Sequence, residues 1–132
     1  MVIDTSALLA IVWHEPEREV FLDIILSTWD QAVSAVSYFE ASILIATRKR
    51  NVLAVTLLDD MMLELQPAVV QVDSEMVLAA RSAYFRFGKG FHPARLNFAD
   101  CFSYTLSKQR NEPLLFKGND FSQTDIIAAW HP

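Results

Sequence analysis

The sequence predicts an α/β fold built on a mainly parallel sheet covered by helices. Two observations carry that prediction. Short apolar runs rich in Val, Ile and Ala alternate with longer stretches of helical periodicity. Those runs also lack polar alternation, which is how strands buried on both faces read. Strand–helix–strand order then implies right-handed crossovers. With 132 residues, no linker-like tract and no internal repeat, one domain spanning residues 1–132 is expected.

Residues 1–4 read as the first strand. Helices follow near 6–13 and 16–29, the second opened by Pro16 among Glu15, Glu17 and Glu19, which suit a helix start. Gln31–Val36 is the second strand. Ser37 opens a helix to about Arg50, and another helix runs from Val52 to Leu65. Ala68–Val72, rich in β-branched residues, is the third strand. Asp73 or Ser74 caps a helix to Phe87. Residues 88–95 form a loop, and Asn97 opens a helix to about Arg110. Leu114–Lys117 is the fourth strand, and Ile126–Trp130 offers a fifth.

Parallel sheets bind ligands beyond the carboxyl ends of their strands. Acids gather there: Asp4 ends the first strand, Glu40 follows the second, Asp100 lies past the loop after the third, and Asp120 and Asp125 follow the fourth. Each has a bland reading. Ser37 with Glu40 and Asn97 with Asp100 match the spacing of a capping box, and Asp120 can cap a short turn. Asp4 resists it, because Thr5 or Ser6 is already available as a cap and no Lys or Arg lies in the first dozen residues. A carboxylate at a buried strand end is costly unless a cation or hydrogen bonds satisfy it. Four carboxylates brought together raise one another's pKa or take up a hard cation such as Mg²⁺ or Mn²⁺.

The stretches Val2–Leu8, Ser37–Ser42, Asn97–Leu106 and Leu115–Phe121 together resemble a PIN domain, and most nearly the VapC ribonuclease toxins of bacterial type II toxin–antitoxin systems. The resemblance runs the length of the chain. It implies a PIN-like α/β/α sandwich with a five-stranded parallel sheet and a divalent-metal endoribonuclease site. It implies as catalytic acids Asp4, Glu40, Asp100 and Asp120, with Asp125 a fifth candidate ligand and Thr5, Ser6 and Asn119 as supporting groups. In the expected division of labour, Asp4 and Asp100 hold a first ion, Asp120 positions a second, and Glu40 acts through water. One or two Mg²⁺ or Mn²⁺ ions would activate water and neutralise phosphate charge.

The net charge of −5 argues at first against a nucleic-acid partner. With the four site acids set aside, however, the rest of the chain is within one charge of neutral. Residues 81–95 then stand out, carrying Arg81, Arg86, Lys89, His92 and Arg95 with no acid, interleaved with Phe85, Phe87 and Phe91. Cations among aromatics suit single-stranded RNA. The lone Cys101 excludes a disulfide scaffold and is expected in the core.

Segment 52–65 is apolar almost all round, which calls for a neighbour. The resemblance implies a homodimer and a cognate antitoxin packed over the helices. No targeting or spanning segment is visible, so the expected compartment is the cytoplasm and no membrane partner is expected. The competing reading, a non-catalytic or receiver-like α/β binding module with an acidic metal pocket, wants paired acids early in the chain, which the sequence lacks.

Overall fold

The computed structural model describes all residues, 1–132. In chain order the elements are β1 (Val2–Ile3), α1 (Thr5–Val12), α2 (Arg18–Leu26), β2 (Ala32–Ser34), α3 (Ala35–Lys49), a 3₁₀ turn (Val52–Val55), α4 (Thr56–Leu65), β3 (Ala68–Val70), α5 (Ser74–Phe87), α6 (Phe98–Arg110) and β4 (Leu114–Leu115). The strands lie side by side in the order β3-β2-β1-β4, every pair parallel. The chain steps outward from β1 to β3 and then crosses back to set β4 against the other side of β1. The direction of winding therefore switches at β1, and its carboxyl end, where Asp4 emerges, is the place this architecture reserves for ligands.

Alternate strand residues point to opposite faces, and the core divides accordingly. Ile3, Val33 and Leu115 pack with residues of α1 to α4, whereas Val2, Ala32 and Leu114 pack with α5 and α6. Ile3, Leu114 and Leu115 are fully buried, each burial contributing roughly 1.5–3 kcal/mol. No helix is long and apolar enough to cross a membrane.

The sheet has four strands where five were expected. Residues 126–130 pair only through Ala128, with Leu114 N–H donating to the Ile127 carbonyl at 2.9 Å and Ala129 N–H to Leu114 at 2.8 Å. Beyond that bridge Trp130 turns inward and meets Phe21 edge-on at 5.3 Å, ending the pairing.

Capping explains the other departures. The helix expected from Ser37 begins at Ala35, because Ser34 is already extended and its hydroxyl accepts the Val36 N–H at 3.2 Å. Ser37 and Glu40 therefore form no capping box. The helix expected to reach residue 29 stops at Leu26, where Ser27 and Thr28 donate their hydroxyls to the Ile24 carbonyl at 2.9 and 2.7 Å. The expected helix over 52–65 splits, because Asn51 caps a 3₁₀ turn that precedes α4. Asp73 caps α5 by accepting Met76 N–H at 2.8 Å.

Candidate active site

Asp4, not Thr5 or Ser6, is the N-cap of α1. Its Oδ2 accepts the Ser6 N–H at 2.9 Å and the Ser6 hydroxyl at 2.6 Å. Ser6 Oγ in turn accepts the Lys117 N–H at 3.0 Å, which ties the exit of β4 to the exit of β1. The other oxygen, Asp4 Oδ1, is buried and has no hydrogen-bond partner. Leaving a buried charged oxygen unpaired costs more than a neutral group would, so something outside the chain is needed to satisfy it.

Asp100 sits in the first turn of α6 in a reciprocal box with Asn97. Asn97 N–H donates to Asp100 Oδ2 at 2.6 Å, and Asp100 N–H donates to Asn97 Oδ1 at 3.0 Å. The capping reading of this pair is therefore correct, and it coexists with a place in the acidic cluster. Burial pushes the Asp100 carboxyl up to about 7. The Asn97 N–H opposes that rise, and the negative charges of Asp4, Asp120 and Glu40 add to it.

Glu40 lies one turn into α3 and its pKa is also raised, by burial first and then by Asp4, against a lowering contribution from the Thr5 hydroxyl. That hydroxyl donates to the Ser37 carbonyl over a long 3.3 Å. Asp120 stands at the exposed lip, its pKa raised by partial burial and by Asp4. The four acids named from the sequence thus act on one another around Asp4.

Three or more of the chain's His, Cys, Asp and Glu side chains do not converge tightly enough to form a ligand set unaided. An ion here would complete its shell with water, as Mg²⁺ ordinarily does. The unpartnered Asp4 Oδ1 and the raised carboxyls of its neighbours fit a small hard cation.

Asp125 is placed elsewhere. Its carboxylate accepts the Tyr104 hydroxyl at 2.7 Å and pairs with Arg86 at 3.3 Å and Lys108 at 3.5 Å. The Tyr104 hydrogen bond leads in holding its pKa low, and the two cations assist. Asp125 is an anchor for the C-terminal segment rather than a member of the cluster. Asn119 is also set apart: its carbonyl accepts Ser122 N–H at 3.1 Å, and its side chain bonds to none of the acids.

A support missed in the sequence lies beneath the site. Ser37 Oγ and Ser103 Oγ are 2.9 Å apart and both fully buried, joining α3 to α6. The signal was present, since Ser103 is three residues past Asp100 and so on the same helix face. Cys101 is buried, and burial followed by Asp100 pushes its thiol up to about 12, so it is no nucleophile.

The basic stretch divides. Arg86 is held by Asp125 and lies over the Phe87 ring at 4.5 Å. His92 accepts Ala94 N–H through Nδ1 and meets Phe87 edge-on at 5.2 Å. Arg81, Lys89 and Arg95 are exposed and in no ion pair. Of the aromatics, Phe87 is core, whereas Phe85 and Phe91 are exposed and touch each other at 5.7 Å.

Known proteins share this plan. The PIN domain family matches residues 1–127. A Ribonuclease VapC of Mycolicibacterium smegmatis is 44% identical over 128 residues, covering 97% of this chain and 98% of that one. Ribonuclease VapC30 of Mycobacterium tuberculosis is 42% identical over 132 residues and covers both chains fully. Among solved structures, Mycobacterium tuberculosis VapC20, described as a sarcin-ricin loop cleaving toxin, superposes with a TM-score of 0.77 at 18% identity over 99% of this chain and 98% of that one. A chain of a toxin-antitoxin complex from Klebsiella pneumoniae gives 0.70 at 11% identity, again over 99% and 98%. Those two likenesses speak for the fold, and the closer relatives speak for the lineage. An acidic cluster at the carboxyl end of β1, in a chain this similar along its whole length, leaves one placement: the chain belongs to the PIN-domain family, among its VapC ribonucleases.

Proposed function

We propose that this chain is a divalent-metal-dependent endoribonuclease, the toxin of a toxin–antitoxin pair, with Asp4, Glu40, Asp100 and Asp120 as its catalytic acids. One observation carries the reading. Asp4 Oδ1 is buried and unpartnered, and it stands amid three carboxyls whose pKa values are all raised. One or two Mg²⁺ or Mn²⁺ ions there would polarise the phosphate and make water nucleophilic near neutral pH.

The chain's own residues do the rest. Asp4 and Asp100 each commit one oxygen, Oδ2, to a fixed bond and so keep a fixed direction for the other. Glu40, with its raised pKa, is suited to accept the proton of the attacking water. Asp120, on the exposed lip, stands where RNA enters. Arg81, Lys89 and Arg95 are free to meet phosphates, with His92 beside them, whereas Arg86 is engaged with Asp125.

The partner reading has its own support. A groove of about 300 Å³ between α1, α2 and α4 is lined by Ile11, Leu22, Leu26, Leu57 and Met61, with Arg18, Asp60 and Glu64 also lining it. Val52, Leu53 and Leu63 are exposed nearby on the 3₁₀ turn and α4. An amphipathic antitoxin segment, apolar along one side and charged along the other, suits the groove, and a second copy of the chain suits the remaining apolar surface.

The test is cleavage of RNA by wild type and Asp4→Asn, with and without EDTA. Cleavage by wild type in Mn²⁺ or Mg²⁺, lost in EDTA and in the variant, is expected. Cleavage that survives EDTA overturns the metal reading.

A further inference from the structure

We infer that the groove between α5 and the start of α6 is a subsite for one unpaired base of the RNA. Phe98 is its stacking face, and Arg81 and Lys89 hold the neighbouring phosphates. The inference rests on the ribonuclease reading and adds to it where the strand lies before it reaches the acids.

The groove encloses about 550 Å³, and its wall is mostly apolar or aromatic. Phe98 is 70% exposed and leans edge-on against Phe102 at 5.3 Å. Tyr84 also lines the groove, its hydroxyl donating to the Lys89 carbonyl at 3.0 Å. Phe98 is held by Phe102 and Tyr84 by Phe91, and a ring held by its neighbours loses little freedom when a base stacks on it.

Charge selects the occupant. Arg81 and Lys89 line the groove, no acid does, and neither cation is in an ion pair. In a chain of net charge −5 this is a local positive rim over an apolar floor, complementary to a base with a phosphate on either side.

Position ties the groove to the chemistry. Asn97, which lines it, is the residue whose N–H and side chain are both bonded to Asp100, and Phe98 is the next residue along. A base seated on Phe98 is therefore registered against the acidic cluster by the first turn of α6.

The probe is a fluorescein-labelled, unstructured RNA of about twelve nucleotides. Its binding is followed by anisotropy in the Asp4→Asn background, where the strand is not cut. Phe98→Ala and Arg81→Glu should each weaken binding about fivefold or more, with Phe98→Trp close to the parent. In the otherwise wild-type chain Phe98→Ala should raise KM and leave kcat nearly unchanged. Replacing a uridine with 5-iodouridine should give photo-crosslinks to Phe98 or Tyr84. Unchanged binding by Phe98→Ala while wild type still cleaves RNA overturns the subsite and leaves the ribonuclease reading standing. So does conversion of a dimer to a monomer by Phe98→Ala, seen in light scattering, or loss of a bound antitoxin with RNA affinity intact. If the unsubstituted chain neither binds nor cleaves RNA, both readings fall together.

Discussion

Ser6 donates its hydroxyl proton to Asp4 Oδ2 at 2.6 Å, and the same oxygen of Ser6 accepts the backbone N–H of Lys117 at 3.0 Å. A small side chain thus fixes the direction of the central carboxylate by bonding it to the neighbouring strand exit. Groups that orient metal-binding carboxylates typically matter by ~10–100-fold. Ser6→Ala should therefore shift the Mn²⁺ dependence of cleavage to higher concentration by about tenfold, with Ser6→Thr restoring most of it. An unchanged metal titration would show that Asp4 needs no such guide.

Removing a site acid should abolish cleavage and stabilise the metal-free chain at once. Asp100→Asn deletes a carboxyl that burial and three like charges oppose. It keeps an oxygen able to accept the Asn97 N–H. Cleavage should fall at least ~1000-fold, while the Tm in EDTA at pH 8 rises. Asp4→Asn should likewise stay folded, since Asn caps a helix as well as Asp does. A lowered Tm in EDTA for Asp100→Asn would mean that its charge is satisfied in the empty site.

The same carboxyl sets a pH dependence. Its folded pKa is about 7, above the ordinary aspartate value of 3.8, so between those values the folded chain holds a proton that the unfolded chain has lost. Stability from this group is full below about pH 4 and falls as pH rises through 7. The raised carboxyls of Glu40 and Asp120 act in the same direction. Those of Glu17, Glu112 and Asp125 are lowered, so their contribution is lost only on acidification below about pH 4.5. In EDTA the chain should melt at a higher temperature at pH 5.5 than at pH 8, by an amount equivalent to a few kcal/mol at most. Mn²⁺ should restore the loss at pH 8. Equal melting at the two pH values would contradict the cluster.

Asp125 separates an anchor from a ligand. Its ion pairs are partly exposed and worth ~0–1 kcal/mol together, and the Tyr104 hydroxyl it leaves behind adds about 1 kcal/mol more. Asp125→Ala should destabilise the chain by roughly 1–2 kcal/mol in a urea titration with the metal dependence of cleavage unmoved. A shifted metal midpoint without loss of stability would return Asp125 to the site.

Salt should expose the difference between free and engaged cations. Each phosphate contact to a single strand adds about −0.7 to the slope of log K against log salt. Arg81→Ala should flatten the slope by about that amount, while Arg86→Ala, whose side chain is spent on Asp125, should leave it nearly unchanged. Equal effects would mean that RNA draws Arg86 away from its partner.

The acids were legible because strand ends announce themselves. Asp4 closes an apolar run, and Asn97 with Asp100 carries a capping spacing that the structure keeps. What was not legible was which of two neighbours does a job. Ser34 takes the cap expected of Ser37, because capping depends on where the backbone is extended, and periodicity locates that only to a few residues. Residues 126–130 are apolar enough for a strand, yet β4 is two residues long and offers one place to pair. Asp125 looks like Asp120 in the sequence. Only the approach of Arg86 and Lys108 from α5 and α6 tells them apart, and that is a matter of packing.

Asp100 is held twice, through its backbone N–H and through one carboxylate oxygen, by the same asparagine. A side chain restrained in this way loses little further freedom when it takes up a ligand. It also cannot retreat. Asp4 is likewise fixed by Ser6. In the proposed site, two carboxylates held this stiffly would discriminate between ions by radius. A small ion that keeps its own waters fits such a site, whereas a larger ion such as Ca²⁺ needs a cage that opens to surround it. On the proposed metal reading, the choice of ion would rest on two helix caps.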